Sequence, residues 1–293
     1  MPTRPEGEAP RRRRRLRGVF DLGVARERRR YQGDPRRILL GTLRERFLRA
    51  HLKGSPGRVL ELGPGPGRFT PVIRRLARGP VIAVDLSRRS LKAARRSSRD
   101  GRGLPRVHWI QGAGEHLPLT TGSVDAAVAL GNILGFAARD APKVMEELRR
   151  VLRPGGLLVA DFPSPAGAVQ EFLHGLSQDR RLQKVLRNPR LYLIDSVLAT
   201  GYQPFAPARL AKFECQFFTA GEARETLARH GFETLDVMSV APLTAFQDRS
   251  PSIAHREKRT WEALLRLEEC VGRRPGTLEM GHGFVVAGHR KGV

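Results

Sequence analysis

Residues 59–70 read VLELGPGPGRFT and combine a short apolar run, an acidic residue and three glycines at alternate positions. The following Thr70-Pro71 is typical of a helix start, with proline at the first helical position. Where an apolar strand passes into a helix through glycines, the backbone can approach a ligand that a Cβ atom would exclude. The stretch therefore predicts a strand, a glycine turn and a helix that together bind a nucleotide-like ligand.

The alternation of short apolar runs with helical segments continues along the chain. An amphipathic helix is predicted over residues 141–152, and five strands are predicted over residues 58–62, 81–85, 106–111, 123–130 and 157–162. Short buried strands that alternate with helices predict an α/β fold with a doubly wound, mostly parallel sheet. Two further strands, at residues 232–240 and 283–290, raise the predicted number to seven.

Composition excludes several classes of protein. The chain has 293 residues and 40% hydrophobic content, enough for a sizeable globular core. No apolar run approaches the roughly 20 residues of a membrane span, and the N-terminus lacks a signal-peptide core. Cys215 and Cys270 lie far apart without nearby histidines, which predicts neither a disulfide framework nor a zinc site. We therefore expect a cytoplasmic protein without a metal.

The charge is strongly positive, with a formal net value of +24. Arginine runs at residues 11–15 and 26–30 are compatible with a nucleic-acid partner. Most of the 53 basic residues are arginine, however, which a GC-rich genome would also produce. The alternative interpretation of residues 11–15 is a solvated tail.

Five regions are predicted along the chain. Residues 1–18 lack apolar periodicity and are expected to form a disordered basic tail. The others are a helical cap segment (19–57), the ligand-binding core (58–162), a lid insertion (163–218) and a C-terminal part (219–293) with a helical insertion at about 241–279. Because parallel strands bind ligands at their carboxyl ends, the cap and the lid insertion are expected to cover the acceptor.

Four segments in order resemble the class I (Rossmann-like) S-adenosylmethionine-dependent methyltransferases. They are the ELGPGPG turn at 61–67, the VIAVD strand at 81–85, the EHLP loop at 115–118 and the LRRVLRPGG lead-in at 148–156. The resemblance implies S-adenosylmethionine as the cofactor and S-adenosylhomocysteine as its product. It also implies that the last strand of the seven-stranded sheet is antiparallel.

The resemblance also implies a set of cofactor-binding residues. Glu61 would lie near the cofactor's amino group, Asp85 would accept hydrogen bonds from both ribose hydroxyls, and Leu86 would border the adenine. The full set is Glu61, Gly63, Gly65, Gly67, Asp85, Leu86, Ala113, Gly114, Glu115, Gly131 and Asn132.

Three further residues are considered near the predicted cofactor site: Ala113, His116 and Tyr31. Ala113 occupies a position where many relatives carry an aspartate that contacts the adenine amine, so backbone carbonyls, Glu115 or water would take that contact. His116 on the same loop is the candidate general base, and no other catalytic residue is predicted. Tyr31 could close over the cofactor's carboxylate or simply pack at the surface or in the core.

The glycine spacing itself argues against a dinucleotide cofactor. A Gly-x-Gly-x-x-Gly fingerprint counted from Gly63 would require glycine where Arg68 stands. The third glycine comes one residue earlier, at Gly67, which suits the methionine end of S-adenosylmethionine better than a pyrophosphate. The pattern therefore favours the methyl donor over NAD.

Methyl transfer from a sulfonium is an in-line displacement, so alignment of the reactants contributes most of the catalysis. A base is needed only where the acceptor is protonated. The predicted lid favours transfer to O, N or C of a small molecule. One alternative is methylation of RNA or a ribosomal protein through the basic N-terminal arm. Another is a regulator that binds S-adenosylmethionine without catalysis.

Overall fold

The computed structural model describes residues 8–53, 57–98, 103–178, 193–205, 213–244 and 249–292. Their helices alternate with strands for most of the chain. The strands are β1 Val59–Leu62, β2 Val81–Asp85, β3 Val107–Gln111, β4 Val124–Ala129, β5 Leu152–Pro163, β6 Tyr202–Gln203, β7 Cys215–Gln216, β8 Phe232–Ser239 and β9 Gly283–Arg290.

Helices flank these strands. They are α1 Glu8–Gly33, α2 Pro35–His51, α3 Thr70–Leu76, α4 Arg88–Ser97, α5 Ile133–Ala137, α6 Ala141–Val151, α7 Pro165–Gln178, α8 Leu193–Thr200, α9 Ala220–Arg229, α10 Arg249–Ala254 and α11 Lys258–Gly272. Short 3-10 turns lie at Ala138–Asp140 and Pro275–Met280.

Seven strands form one sheet in the order β3-β2-β1-β4-β5-β9-β8. Strands β1 to β5 pair in parallel, whereas β9 is antiparallel to both β5 and β8. The predicted α/β fold with an antiparallel last strand is confirmed. Strand β5 begins earlier than predicted, because Leu152 already pairs with Val124 before the ladder shifts register.

Apolar side chains cover both faces of the sheet. Leu60 and Leu62 belong to one buried cluster, which includes residues of α6 and α9. Val59 belongs to the opposite cluster, with the buried side chains of α2 and α11. Alternate residues of a strand point to opposite faces, so the continuous apolar runs seen in the sequence are those of strands buried on both sides.

The predicted disordered tail over residues 1–18 is wrong for residues 8–18, which belong to α1. Arg12 donates to the carbonyl oxygen of Ala137 at 2.6 Å and forms an ion pair with Asp140. The ring of Phe20 meets that of Phe136 edge to face, with 5.4 Å between centroids. These partners lie more than a hundred residues away in the chain, so local sequence pattern carried no sign of them. Residues 1–7 lie outside the described part.

Helices occur in both predicted insertions. Helices α7 and α8 and the small β6–β7 pair belong to the lid insertion at 163–218. Helices α10 and α11 belong to the insertion predicted at about 241–279. Within the described ranges, no helix combines the length and apolar character needed to cross a bilayer.

A capping box stabilises the start of helix α9. Thr219 Oγ1 accepts a hydrogen bond from the Glu222 backbone N–H at 3.1 Å, and a Glu222 carboxylate oxygen accepts one from the Thr219 N–H at 2.8 Å. Thr219→Ala should lower the free energy of unfolding by about 1 kcal/mol, whereas Thr219→Asp should retain most of it. Urea denaturation measures the free energy of unfolding of both variants. An alanine variant as stable as the wild type would contradict the capping role of Thr219.

Candidate functional site

The glycine turn after β1 has a backbone that requires its glycines. Gly63, Gly65 and Gly67 have φ values of +68°, +55° and +89°. A Cβ on Gly63 would lie 2.1 Å from Ile133 Cδ1, and one on Gly67 would lie 3.0 Å from Ala94 Cα. A Cβ on Gly65 would meet no atom within 4 Å. Two glycines are therefore needed for packing, and the third leaves an open face at the carboxyl end of the sheet.

Asp85 joins the end of β2 to this turn. One carboxylate oxygen accepts the Gly65 N–H at 2.9 Å and the other accepts the Ser87 N–H at 2.7 Å. Burial raises the pKa of Asp85 to about 6, against the lowering effect of these two bonds. Near neutral pH the carboxylate is therefore mostly ionised, and each oxygen retains a lone pair for a ligand.

Glu61 is the second buried carboxyl group at this edge. Its side chain is 3% exposed and accepts a hydrogen bond from Thr70 Oγ1 at 2.7 Å. Burial raises the pKa of Glu61 to about 8, opposed by the Thr70 bond. Without a nearby cation the group is therefore mostly a neutral acid at pH 7.

The raised Glu61 pKa predicts a pH-dependent stability. The folded protein holds this proton up to about pH 8, whereas the unfolded chain releases it near 4.5. The stabilisation is therefore full below about pH 4.5 and is lost as pH rises to about 8. Relative to Glu61→Gln, the wild type should lose unfolding free energy across that window. Urea denaturation from about pH 5 to about pH 8.5 measures this, and parallel profiles would contradict it.

The loop after β3 contains four of the predicted site residues. The His116 N–H donates to the Ala113 carbonyl at 3.1 Å, which closes a tight turn. Gly114 packs closely, since a Cβ there would lie 3.3 Å from Leu62 Cδ2. Glu115 lies 3.5 Å from the guanidinium of Arg13 on α1. The imidazole of His116 is exposed.

Leu86 follows Asp85 and is partly buried. Its carbonyl oxygen accepts a hydrogen bond from the Gln111 side chain at 3.2 Å. This bond joins the ends of β2 and β3, so Leu86 lies between Asp85 and the loop after β3. The predicted ribose and adenine positions are therefore adjacent in the fold.

The loop after β4 is held by a residue that the sequence patterns did not indicate. The N–H groups of Gly131 and Asn132 donate to one oxygen of Asp161 at 3.0 and 2.8 Å. The other oxygen of Asp161 accepts from Arg44 Nε on α2 at 2.7 Å. Both side chains are buried. Two sequence signals could have indicated this pair. Asp161 is a carboxylate near the end of an apolar strand, and Arg44 is an arginine among the apolar positions of a helix.

Asn132 itself has an unusual conformation. Its φ of +63° lies in the left-handed region, which asparagine tolerates better than most residues. Its side-chain oxygen is buried and accepts no hydrogen bond within the described part of the chain. That atom is available to a donor on a ligand.

Helix α1 crosses the open edge of the sheet and contacts the segment after each of β1 to β4. Its contacts are Tyr31 with Arg68, Asp21 with Ser87, Arg13 with Glu115 and Arg12 with Asp140. A small cavity beneath its N-terminal half is lined by Arg12, Arg15, Leu16, Phe136, Phe213 and Glu214. The predicted site residues that follow four different strands thus lie together beneath helix α1. Only residues 19–33 of this helix were predicted to belong to the cap segment.

Part of the chain is similar in sequence to known methyltransferases. A family model described as "Methyltransferase domain" matches residues 59–156. A demethylmenaquinone methyltransferase from Thermus thermophilus is 35% identical over 124 residues, which are 42% of this chain and 54% of that protein. A ubiquinone/menaquinone biosynthesis C-methyltransferase from Vibrio cholerae is 34% identical over 117 residues, 38% of this chain and 43% of that protein. The matches thus span about half the length of these curated relatives.

Solved structures share the fold over most of the chain. A Thermotoga maritima methyltransferase, described as a possible histamine N-methyltransferase, has a TM-score of 0.58 and 20% identity over 94% of this chain and 99% of its own. A 1,6-didemethyltoxoflavin-N1-methyltransferase from Burkholderia thailandensis has a TM-score of 0.57 and 18% identity, covering 100% of this chain and 93% of its own. Residues 59–156 therefore match a methyltransferase domain in sequence, and the chain shares the fold of these solved methyltransferases.

Proposed function

We propose that this protein transfers a methyl group from S-adenosylmethionine to O, N or C of a small-molecule acceptor. The observation that carries the proposal is a pair of buried carboxyl groups beside the glycine turn: Asp85 accepts the Gly65 N–H, and its charge acts on Glu61. An unpartnered buried oxygen on Asn132 adds a third acceptor at the same edge. These groups fit a ligand that carries hydroxyl donors at one end and an ammonium at the other.

In this proposal Asp85 accepts the ribose hydroxyls while keeping the Gly65 and Ser87 N–H groups. Glu61 faces the amino group, and approach of a cation converts its neutral acid to the carboxylate. Adenine lies against Leu86 and the loop after β3, where its amine meets Glu115 or the backbone of Ala113 and Gly114. When bound, the cofactor would supply a methyl group on a sulfonium centre, from which the neutral thioether S-adenosylhomocysteine is a good leaving group.

The chain's own part in the reaction is alignment and exclusion of water. Gly131 and Asn132, held by Asp161, form the wall at the carboxyl end of β4. Helix α1 covers the crevice, so an acceptor is held against this wall in a fixed direction. His116 is exposed and would act as a base only for an acceptor that reaches the loop after β3.

The contacts of α1 favour a small acceptor over RNA. Arg12 pairs with Asp140, Arg13 lies beside Glu115 and the Arg15 guanidinium stacks 3.9 Å above the ring of Phe205. Three residues of the arginine run are thus directed onto the protein.

Transfer of label tests the proposal. The purified protein is incubated with S-adenosylmethionine carrying a tritiated methyl group and separately with low-mass, RNA and ribosomal fractions of a cell extract. We expect label in a low-mass compound, and none from an Asp85→Ala variant. Label in RNA or a ribosomal protein, suppressed by salt, would favour the first alternative. Binding of cofactor without label in any fraction would favour the non-catalytic regulator.

A further inference from the structure

The outward side of helix α1 carries arginines that no carboxylate neutralises. Six of these arginines are exposed, and no ion pair among the described residues includes any of them. They are Arg11, Arg14, Arg17, Arg26, Arg28 and Arg29. At 3.6 residues per turn these positions fall on one half of the helix circumference, over about 27 Å of its length. We call these six side chains the basic face.

Two acidic residues of α1, Asp21 and Glu27, bond within the protein instead. Both side chains are partly buried. The Asp21 carboxylate accepts a hydrogen bond from Ser87 Oγ at 2.6 Å. The Glu27 carboxylate accepts one from the Tyr31 hydroxyl, and its charge also acts on Arg68. An arginine-rich composition alone would not confine these acids to the partly buried side of the helix.

Helix α4 extends the positive charge beside α1. The two helices pack together, and the bond from Ser87 to Asp21 joins α1 to the start of α4. Helix α4 contains no acidic residue. Its exposed cations are Arg88, Arg89, Lys92, Arg95 and Arg96. Like charges in such number repel one another, and a surface of one sign attracts an extended partner of the opposite sign.

Exposed apolar side chains lie among these cations. Leu22 is 82% exposed and is on the same side of α1 as the basic face. Phe205 of the lid insertion is 37% exposed, and the Arg15 guanidinium lies 3.9 Å from the centroid of its ring. Cations that reach lipid headgroups, together with apolar side chains that enter the boundary below them, are typical of proteins that lie on a membrane surface.

The same helix lacks what single-stranded RNA would require. Base recognition depends on aromatic rings that are free to stack. The two aromatic rings of α1 are already in contact with other parts of the protein. Phe20 meets Phe136, and Tyr31 lies against Arg68. The observations therefore favour an anionic lipid surface over RNA.

We infer that the basic face of α1 binds an anionic membrane surface, with Leu22 entering the headgroup region. Each arginine close to such a surface strengthens the attraction, which falls off within a Debye length. The opposite side of α1 covers the crevice, so binding brings the crevice to within about one helix diameter, roughly 10 Å, of the lipid. The inference goes beyond the proposed function and does not require it.

Cosedimentation with lipid vesicles tests this inference. The purified protein is mixed with phosphatidylcholine vesicles that contain either no anionic lipid or about one third phosphatidylglycerol. We expect binding only to the anionic vesicles, with an affinity that falls as salt is added. The triple variant Arg14→Gln, Arg26→Gln and Arg29→Gln should bind at least about 30-fold more weakly. Leu22→Ser should bind about fivefold more weakly.

Helix α11 provides the matched controls. It also has exposed cations and an exposed leucine, but Glu262 and Glu269 lie among them. The triple variant Lys258→Gln, Arg259→Gln and Arg266→Gln removes as much charge as the α1 variant. This variant and Leu267→Ser should each keep vesicle affinity within about twofold of the wild type. Circular dichroism verifies that all variants are folded.

Three results would overturn the inference. The first is a wild type that does not bind the anionic vesicles, including one that instead binds an RNA oligonucleotide through the basic face. The second is an equal loss in the α1 and α11 triple variants, which would reflect net charge alone. The third is a Leu22→Ser variant that binds as the wild type does. Because vesicle binding needs neither cofactor nor acceptor, these results are independent of the methyl-transfer assay.

Discussion

Replacement of Asp85 by alanine is expected to weaken binding of S-adenosylhomocysteine by at least about 100-fold. The carboxylate would lose two hydrogen bonds from ribose hydroxyls, and bonds to a charged group contribute about 1.5–3 kcal/mol each. The side chain also organises the glycine turn through the Gly65 N–H. Isothermal titration calorimetry measures the affinity, and circular dichroism confirms that the variant is folded.

A matched control lies at the opposite end of the sheet. Asp125, near the start of β4, also accepts a backbone hydrogen bond, from the Arg58 N–H at 2.7 Å. Asp125→Asn should leave cofactor affinity unchanged. Asp85→Asn keeps one side-chain oxygen for the backbone and should give an intermediate loss. An Asp85→Ala variant that binds the ligand as the wild type does would refute the assignment of this residue to the ribose.

Removal of Asp161 should have the largest effect on stability. Asp161→Ala leaves the buried guanidinium of Arg44 without a carboxylate and frees the N–H groups of Gly131 and Asn132. Breaking a buried ion pair from one side costs about 3–5 kcal/mol. We expect a loss of that size in the free energy of unfolding, measured by urea denaturation.

Two controls distinguish the effect of breaking the buried Arg44–Asp161 pair from the effect of removing any charged side chain. Glu45→Ala removes the partner of Arg49 on the surface of α2 and should cost about 0.5 kcal/mol or less. The double variant Arg44→Met and Asp161→Ala should be more stable than Asp161→Ala alone, because it removes the uncompensated charge. If Asp161→Ala lowered the free energy of unfolding no more than Glu45→Ala does, the Arg44–Asp161 pair would not stabilise this part of the fold.

Much of the sheet was predictable because its information is local. Strand β2 has the predicted bounds, β1 and β3 each begin one residue later than predicted, and β4 is shorter than predicted by one residue at both ends. Continuous apolar runs between glycine and proline signals suffice for such strands, since both faces of a parallel sheet are buried. The N-caps Ser87 and Thr219 are local features too, because each side chain bonds to a backbone N–H three residues further along the chain.

Contacts between distant segments were not predictable in this way. The arginines at residues 11–15 have the composition of a solvated tail, and only the positions of Asp140 and Glu115 in the folded chain give Arg12 and Arg13 their partners. Likewise, the sequence shows Gly41 only as a residue that lowers the stability of helix α2. The fold shows that Arg68 occupies the space left by its missing side chain.

The α/β sheet, its glycine turn and the acidic residues at or near the ends of β1 and β2 could be read from the chain alone, because they follow from short-range periodicity and backbone conformation. Which charged side chains meet depends on the folded arrangement. It alone shows helix α1 over the crevice, the Arg44–Asp161 pair behind the β4 loop and the space beside Gly41 that the Arg68 side chain occupies. The physical reason is that burial and charge pairing are properties of residues that are close in space, whatever their separation along the chain.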